Sequence, residues 1–120
     1  MKETKSTNPE LIKLIRFLKK QGNENEAKIW RDVATLLTKT RQRRATVNLS
    51  RINRHTKKSD MVVVPGKVLG AGTIEHAVTV AALNASKRAK EKLTAAKAKF
   101  LSIPELVEKN PKGSKVKIIR

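Results

Sequence analysis

Asp60-Met61-Val62-Val63-Val64-Pro65-Gly66 is the stretch whose reading settles the architecture. A short β-branched run with no polar alternation reads as a strand buried on both faces, and Pro65-Gly66 reads as its end. Working toward the C-terminus, Lys67-Val68-Leu69 leads into a Gly70-Ala71-Gly72 loop, and Ala77–Leu83 reads as another strand. Ser86 caps a helix expected to reach about Lys99, with Ala89, Leu93, Ala96 and Phe100 on one side. Ser102-Ile103-Pro104-Glu105 matches a capping box, which opens a short helix ending near Lys109. Asn110-Pro111-Lys112-Gly113 turns the chain, and Lys115 to Ile119 alternates charged and apolar residues like a half-buried strand.

Toward the N-terminus, residues 1–8 form a polar lead-in. Asn8-Pro9-Glu10 then reads as a helix start, with a capping side chain, a proline in the first turn and an acid beside it. Leu11, Leu14, Ile15 and Leu18 make one apolar stripe, and Gly22 reads as its stop. A second helix is expected from Asn23–Asn25 to about Lys39, with Ile29, Trp30, Val33, Leu36 and Leu37 on its apolar face. Two such helices across a short turn pack as an antiparallel hairpin. Thr46-Val47-Asn48-Leu49 reads as a short strand and Ser50–His55 as one or two helical turns. The expected fold class is therefore α/β (α+β), an N-terminal helical hairpin followed by an irregular strand–strand–helix core. Residues 1–39 are the tail and hairpin, 40–58 a basic segment, and 59–120 a small α/β core, together one compact unit.

The basic segment points to function. Lys39, Arg41, Arg43, Arg44, Arg51, Arg54, Lys57 and Lys58 fall within twenty residues, and no acid lies between Asp32 and Asp60. Val47, Leu49 and Ile52 are spaced to anchor one side of this run to a core while arginines project from the other. Arginine leads there, and its planar fork grips phosphate in two places where lysine offers a point charge. A basic surface held on a folded scaffold is what gripping a nucleic-acid backbone in fixed register requires.

Composition agrees. Twenty-eight Lys+Arg against ten Asp+Glu gives +18 over 120 residues, a charge that favours polyanionic partners. No apolar run approaches the ~18 residues of a membrane span, so a membrane partner is not expected. No cysteine is present, which removes thiolate catalysis, disulfides and cysteine-ligated zinc. The first residues carry no apolar stretch of a secretory signal, so the cytoplasm is the expected location. Phe17, Trp30 and Phe100 are the only aromatics, too few for a base-stacking platform. Recognition of shape and phosphate is expected instead.

Other chemistry finds little support. Met61 and Val68 break the phosphate-loop pattern around Gly66-Lys67, and Glu75 stands where a dinucleotide fingerprint starting at Gly70 needs glycine. Turn chemistry accounts for these glycines, with Lys67 available to a basic surface. His55 and His76 lack the further ligands a metal site needs. His55 extends the basic surface, and His76 is expected to begin a strand. No carboxylate pair suggests acid–base work, and Lys87, Arg88, Lys90 and Lys92 read as a solvated helix face. No catalytic residue, cofactor, metal or small-molecule substrate is expected.

Arg41-Gln42-Arg43-Arg44-Ala45-Thr46-Val47-Asn48-Leu49-Ser50-Arg51-Ile52-Asn53-Arg54 resembles the signature region of the archaeal and eukaryotic large-subunit ribosomal protein family L-eighteen-e. The similarity extends through Asn8–Leu11, Ile29–Ala34, Val64–Gly70 and Asn110–Ser114, so it covers essentially the whole chain, and the compact length looks archaeal. The resemblance implies a structural, non-enzymatic role in translation, bound to ribosomal RNA and neighbouring ribosomal proteins as a monomer within the cytoplasmic ribosome. It also implies a fold shared with the C-terminal part of the bacterial L-fifteen protein. The signature places RNA contact on Arg41, Arg43, Arg44, Asn48, Arg51 and Arg54. Lys39, His55, Lys57, Lys58, Lys67 and Lys112 complete the expected surface. The leading rival is an architectural DNA-binding protein, which would need apolar wedges or a dimer helix that the sequence does not display. An RNA-acting enzyme would need an acid, base or metal cluster.

Overall fold

The computed structural model describes residues 9–39 and 45–120. The elements, in order, are α1 (Pro9–Glu24), α2 (Lys28–Leu37), β1 (Ala45–Asn48), α3 (Leu49–His55), β2 (Met61–Leu69), β3 (Thr79–Ala85), α4 (Lys87–Ala95), β4 (Lys99–Ser102), α5 (Ile103–Lys109) and β5 (Val116–Ile118). The strands form one all-parallel sheet ordered β1-β2-β3-β4, and β5 pairs with β2. Helices cover both of its faces, as an α/β fold with continuously apolar central strands requires.

Successive β2 side chains enter opposite layers. Val62, Val64 and Val68 join Val80 and Ala82 of β3 beneath α3 and α4, where Leu49, Ile52, Ala89 and Leu93 are buried. Val63 and Ala81 face the other way. They meet α1, α2 and α5 through residues such as Leu18, Trp30, Val33, Leu37, Ile103 and Leu106. The capping box on α5 is present, with Ser102 Oγ accepting from Glu105 N and Glu105 Oε1 accepting from Ser102 N. Ser86 Oγ likewise caps α4 by accepting from Ala89 N at 3.1 Å.

Four local expectations are corrected. β2 does not stop at Pro65-Gly66 but continues to Leu69. Its first half pairs with β5 through Met61–Val63 and its second half with β1 through Gly66–Leu69. Pro65 stands where the strand changes neighbours and shifts register against β3, so its missing N–H breaks no ladder. Gly66 is required there, because a Cβ would fall 1.9 Å from the Ala45 carbonyl oxygen.

Gly22 does not end α1, which runs on to Glu24. A Cβ at Gly22 would sit 2.7 Å from Arg31 Cγ, so this glycine lets the two hairpin helices approach. α2 accordingly begins at Lys28, later than expected. The third correction concerns α4, which ends at Ala95 and gives way to β4, a strand absent from the sequence reading. Lys97 adopts a φ of 61° and Ala98 N donates to the Leu93 carbonyl, which turns the chain out of the helix. Last, His76 lies in the loop between β2 and β3 and does not begin a strand. The Asn8 cap lies outside the described residues.

Candidate nucleic-acid interface

From residue 45 onward the basic segment is pinned to the core. Val47, Leu49 and Ile52 are buried to within 1% exposure, so β1 and the inner side of α3 belong to the core. Arg51 and Arg54, three residues apart on α3, are exposed. Among the described residues no carboxylate engages either guanidinium. The expected division between apolar anchors and projecting arginines is thus realised over 45–55. Arg41, Arg43 and Arg44 lie outside the described residues.

A loop braces α3 along its length. Ser50 N donates to the Ala71 carbonyl at 3.1 Å, and Ala71 N returns a bond to Asn48 Oδ1 at 3.3 Å. Glu75 N donates to Asn53 Oδ1 at 3.0 Å. At the far end the buried Thr56 hydroxyl donates to the Ile52 carbonyl at 2.7 Å. With that hydrogen committed, His76 Nε2 acts as donor to Thr56 Oγ1 across 2.8 Å. His76 is therefore a brace.

Lys92 fixes the loop itself. Its ammonium donates to the carbonyls of Gly70 at 2.7 Å and Gly72 at 2.6 Å. The expectation of a solvated lysine fails here, because the two carbonyls lie within reach of α4. Nothing local in the sequence could have signalled the pairing. Lys87, Arg88 and Lys90 are exposed as expected, with Lys90 5.7 Å from the Phe100 ring centroid.

Beyond α3 the surface stays basic. His55, Lys57 and Lys58 are exposed around the turn into β2. Asp60 ends that turn, accepting from Lys57 N at 2.8 Å and from Lys117 Nζ at 3.0 Å. The backbone hydrogen bond from Lys57, then the Lys117 ammonium, holds its carboxyl below the ordinary range. Lys117 also reaches the His55 carbonyl at 3.3 Å, tying β5 to the last turn of α3. Lys117 was not among the expected site residues. Its place in an alternating charged–apolar run was the available signal.

The remaining expected residues are spread more widely. Asn48 spends its Oδ1 on the loop. Lys67 is exposed on β2 next to Val68, whose side chain enters the layer beneath α3, so Lys67 points to the opposite face of the sheet. Lys39 follows α2 and is exposed. Lys112 is exposed in the turn between α5 and β5, where the Pro111 carbonyl accepts from Trp30 Nε1 at 2.8 Å. Among the described residues no group of three or more His, Asp or Glu side chains is placed to hold a metal ion, and no helix is long and apolar enough to cross a membrane.

The family model described as "Ribosomal protein 60S L18 and 50S L18e" matches residues 1–120. A protein named large ribosomal subunit protein eL18 from Methanospirillum hungatei is 49% identical over 114 residues, 95% of this chain and 94% of that one. Proteins of the same name from Methanothermobacter thermautotrophicus and Methanococcus maripaludis are 47% and 46% identical, covering 94% and 99% of this chain and 93% and 99% of their own lengths. With a whole-chain family match and relatives of this identity and coverage, the chain belongs to the ribosomal protein family of 60S L18 and 50S L18e.

Proposed function

We infer that the protein is a structural constituent of the large ribosomal subunit, where it binds ribosomal RNA in the cytoplasm and performs no catalysis. The observation that carries the RNA-binding role is α3, a short helix with its apolar side buried and Arg51 and Arg54 projecting unpaired from the other. We assign Lys39, Arg41, Arg43, Arg44, His55, Lys57 and Lys58 to the same RNA contact, and Lys67 on the opposite face of the sheet and Lys112 in the turn before β5 to RNA that reaches beyond it. Asn48 offers its amide nitrogen.

The mechanism is charge neutralisation in fixed geometry. Arginines bridge phosphates brought close by RNA folding, and each contact releases condensed counterions. Because Lys92, Ser50, Asn53 and Thr56 hold α3 and its loop in place, little ordering cost remains at binding. RNA that binds only the folded state in turn stabilises a chain burdened by +18 of self-repulsion. Neighbouring ribosomal proteins are the remaining partners.

The test is incorporation into subunits. Replacing Arg43, Arg44, Arg51 and Arg54 with Ala is expected to abolish cofractionation with large subunits while the circular dichroism spectrum is kept. Replacing the exposed Lys87, Arg88 and Lys90 with Ala should weaken it modestly. Losses in simple proportion to the charges removed, four against three, at one ionic strength would mean that total charge, and not the held segment, governs binding.

A further inference from the structure

The basic surface continues past α3 onto the edge of the sheet where strands begin. Outside glycine, positive φ angles occur among the described residues at Glu26 (53°), Ser59 (70°), Lys97 (61°) and Lys115 (61°). Three of these stand just before a strand: Ser59 before β2, Lys97 before β4 and Lys115 before β5. Since every strand is parallel, these entries share one rim. The register confirms it, because Val116 pairs with Met61, Met61 with Thr79, and Thr79 with Lys99. At roughly 4.8 Å per strand, Lys115 and Lys97 stand about 14 Å apart along the rim, with the Lys57–Lys58 turn between them.

All of these lysines are exposed, as is Lys112 in the turn before β5. Asp60, in the same row, is already matched by Lys117. The left-handed region disfavours any residue with a Cβ, while glycine enters it freely. A turn with no use for its side chain would settle on glycine or asparagine. At β4 and β5 it carries lysine instead; Lys97 also suits the C-terminus of α4, while Lys115 follows no helix end, and both ammonium groups stand on the same rim.

We propose that this strand-entry rim is a second phosphate-binding surface. Lys97 and Lys115 grip a stretch of large-subunit ribosomal RNA backbone distinct from the one held by Arg51 and Arg54, and Lys57 and Lys58 lead from one to the other. The rim carries ammonium groups and no exposed aromatic, so it senses phosphate and leaves base identity unread. Because α3 lies on a face of the sheet and the rim runs across its end, one molecule ties together two backbone segments that meet at a corner. This proposal rests on the reading of the protein as an RNA-binding ribosomal constituent.

The test uses the full chain and transcribed large-subunit ribosomal RNA, with filter binding across salt and hydroxyl-radical footprinting. The double variant Lys97→Gly with Lys115→Gly should keep or raise the melting temperature, since glycine relieves both left-handed positions. Its slope of log K against log salt should become shallower by about 1.4–1.8, from two lost contacts. One patch of backbone protection should vanish while the patch removed by Arg51→Ala with Arg54→Ala remains. Lys97→Asn with Lys115→Asn, which suits the same backbone, should lose the same contacts. Unchanged slope and footprint in both variants, with the arginine variant weakened, would overturn the rim and leave the RNA-binding role standing. Failure of the parent chain to bind the RNA would overturn both.

Discussion

Trp30 and Pro111 are joined by a 2.8 Å hydrogen bond from the indole Nε1 to the carbonyl oxygen, across eighty-one positions of sequence. The ring is fully buried. The bond ties the N-terminal hairpin to the turn that presents Lys112. Trp30→Ala should cost roughly 3–5 kcal/mol, the usual range for emptying a large aromatic site. Trp30→Phe should cost less, about 1–2 kcal/mol, because most of the packing survives and only the bond is lost. Urea denaturation measures both. Bound RNA should leave Trp30 fluorescence nearly unquenched, and strong quenching with loss of affinity but not stability would make the ring a stacking platform.

Lys92 should behave unlike its neighbours on α4. Lys92→Met removes two charge-assisted bonds to the Gly70 and Gly72 carbonyls, worth about 1–2 kcal/mol together at this partly exposed site. Lys87→Met, at an exposed position, should stay within about 0.5 kcal/mol of the parent. Amide exchange at Ser50 and Ala71 should accelerate in the first variant only. RNA affinity should also fall further in Lys92→Met, although each variant loses one positive charge.

Acid should destabilise the fold through two identified carboxyls. Asp60 is held below its ordinary value by the Lys57 backbone bond and then Lys117, and Glu105 by the Ser102 backbone bond and then its hydroxyl. A group with a depressed folded pKa contributes stability above its unfolded value, near ~4, and loses it as pH falls through the folded one. Urea midpoints should therefore drop from about pH 5 downward. Asp60→Asn and Glu105→Gln should each flatten that acid limb, with little change in slope above pH 6.

The sequence made some elements plain and hid others for physical reasons. The Leu11–Leu18 stripe, the Val62–Val64 run and the Ser102–Glu105 box are local signals whose chemistry needs no distant partner, and they appear as read. β4 was hidden because Ala95-Ala96-Lys97-Ala98-Lys99 continues a helical composition. The break comes from Lys97 in a conformation that lysine seldom takes. Pro65-Gly66 misled because a strand that changes neighbours can carry a proline at the exchange point. In the candidate interface, Val47, Leu49 and Ile52 identified the buried side of the segment. The loop that braces α3 did not show, since its bonds join residues twenty or more positions apart.

Salt dependence of ribosomal RNA binding separates a phosphate clamp from contacts to bases. With about 8 basic side chains neutralising phosphates, and ~0.7–0.9 counterions released per contact, the slope of log K against log salt should be about −6 to −7. A slope shallower than about −2 would contradict the account, because the binding energy would then come from apolar or stacking contacts and not from a phosphate clamp.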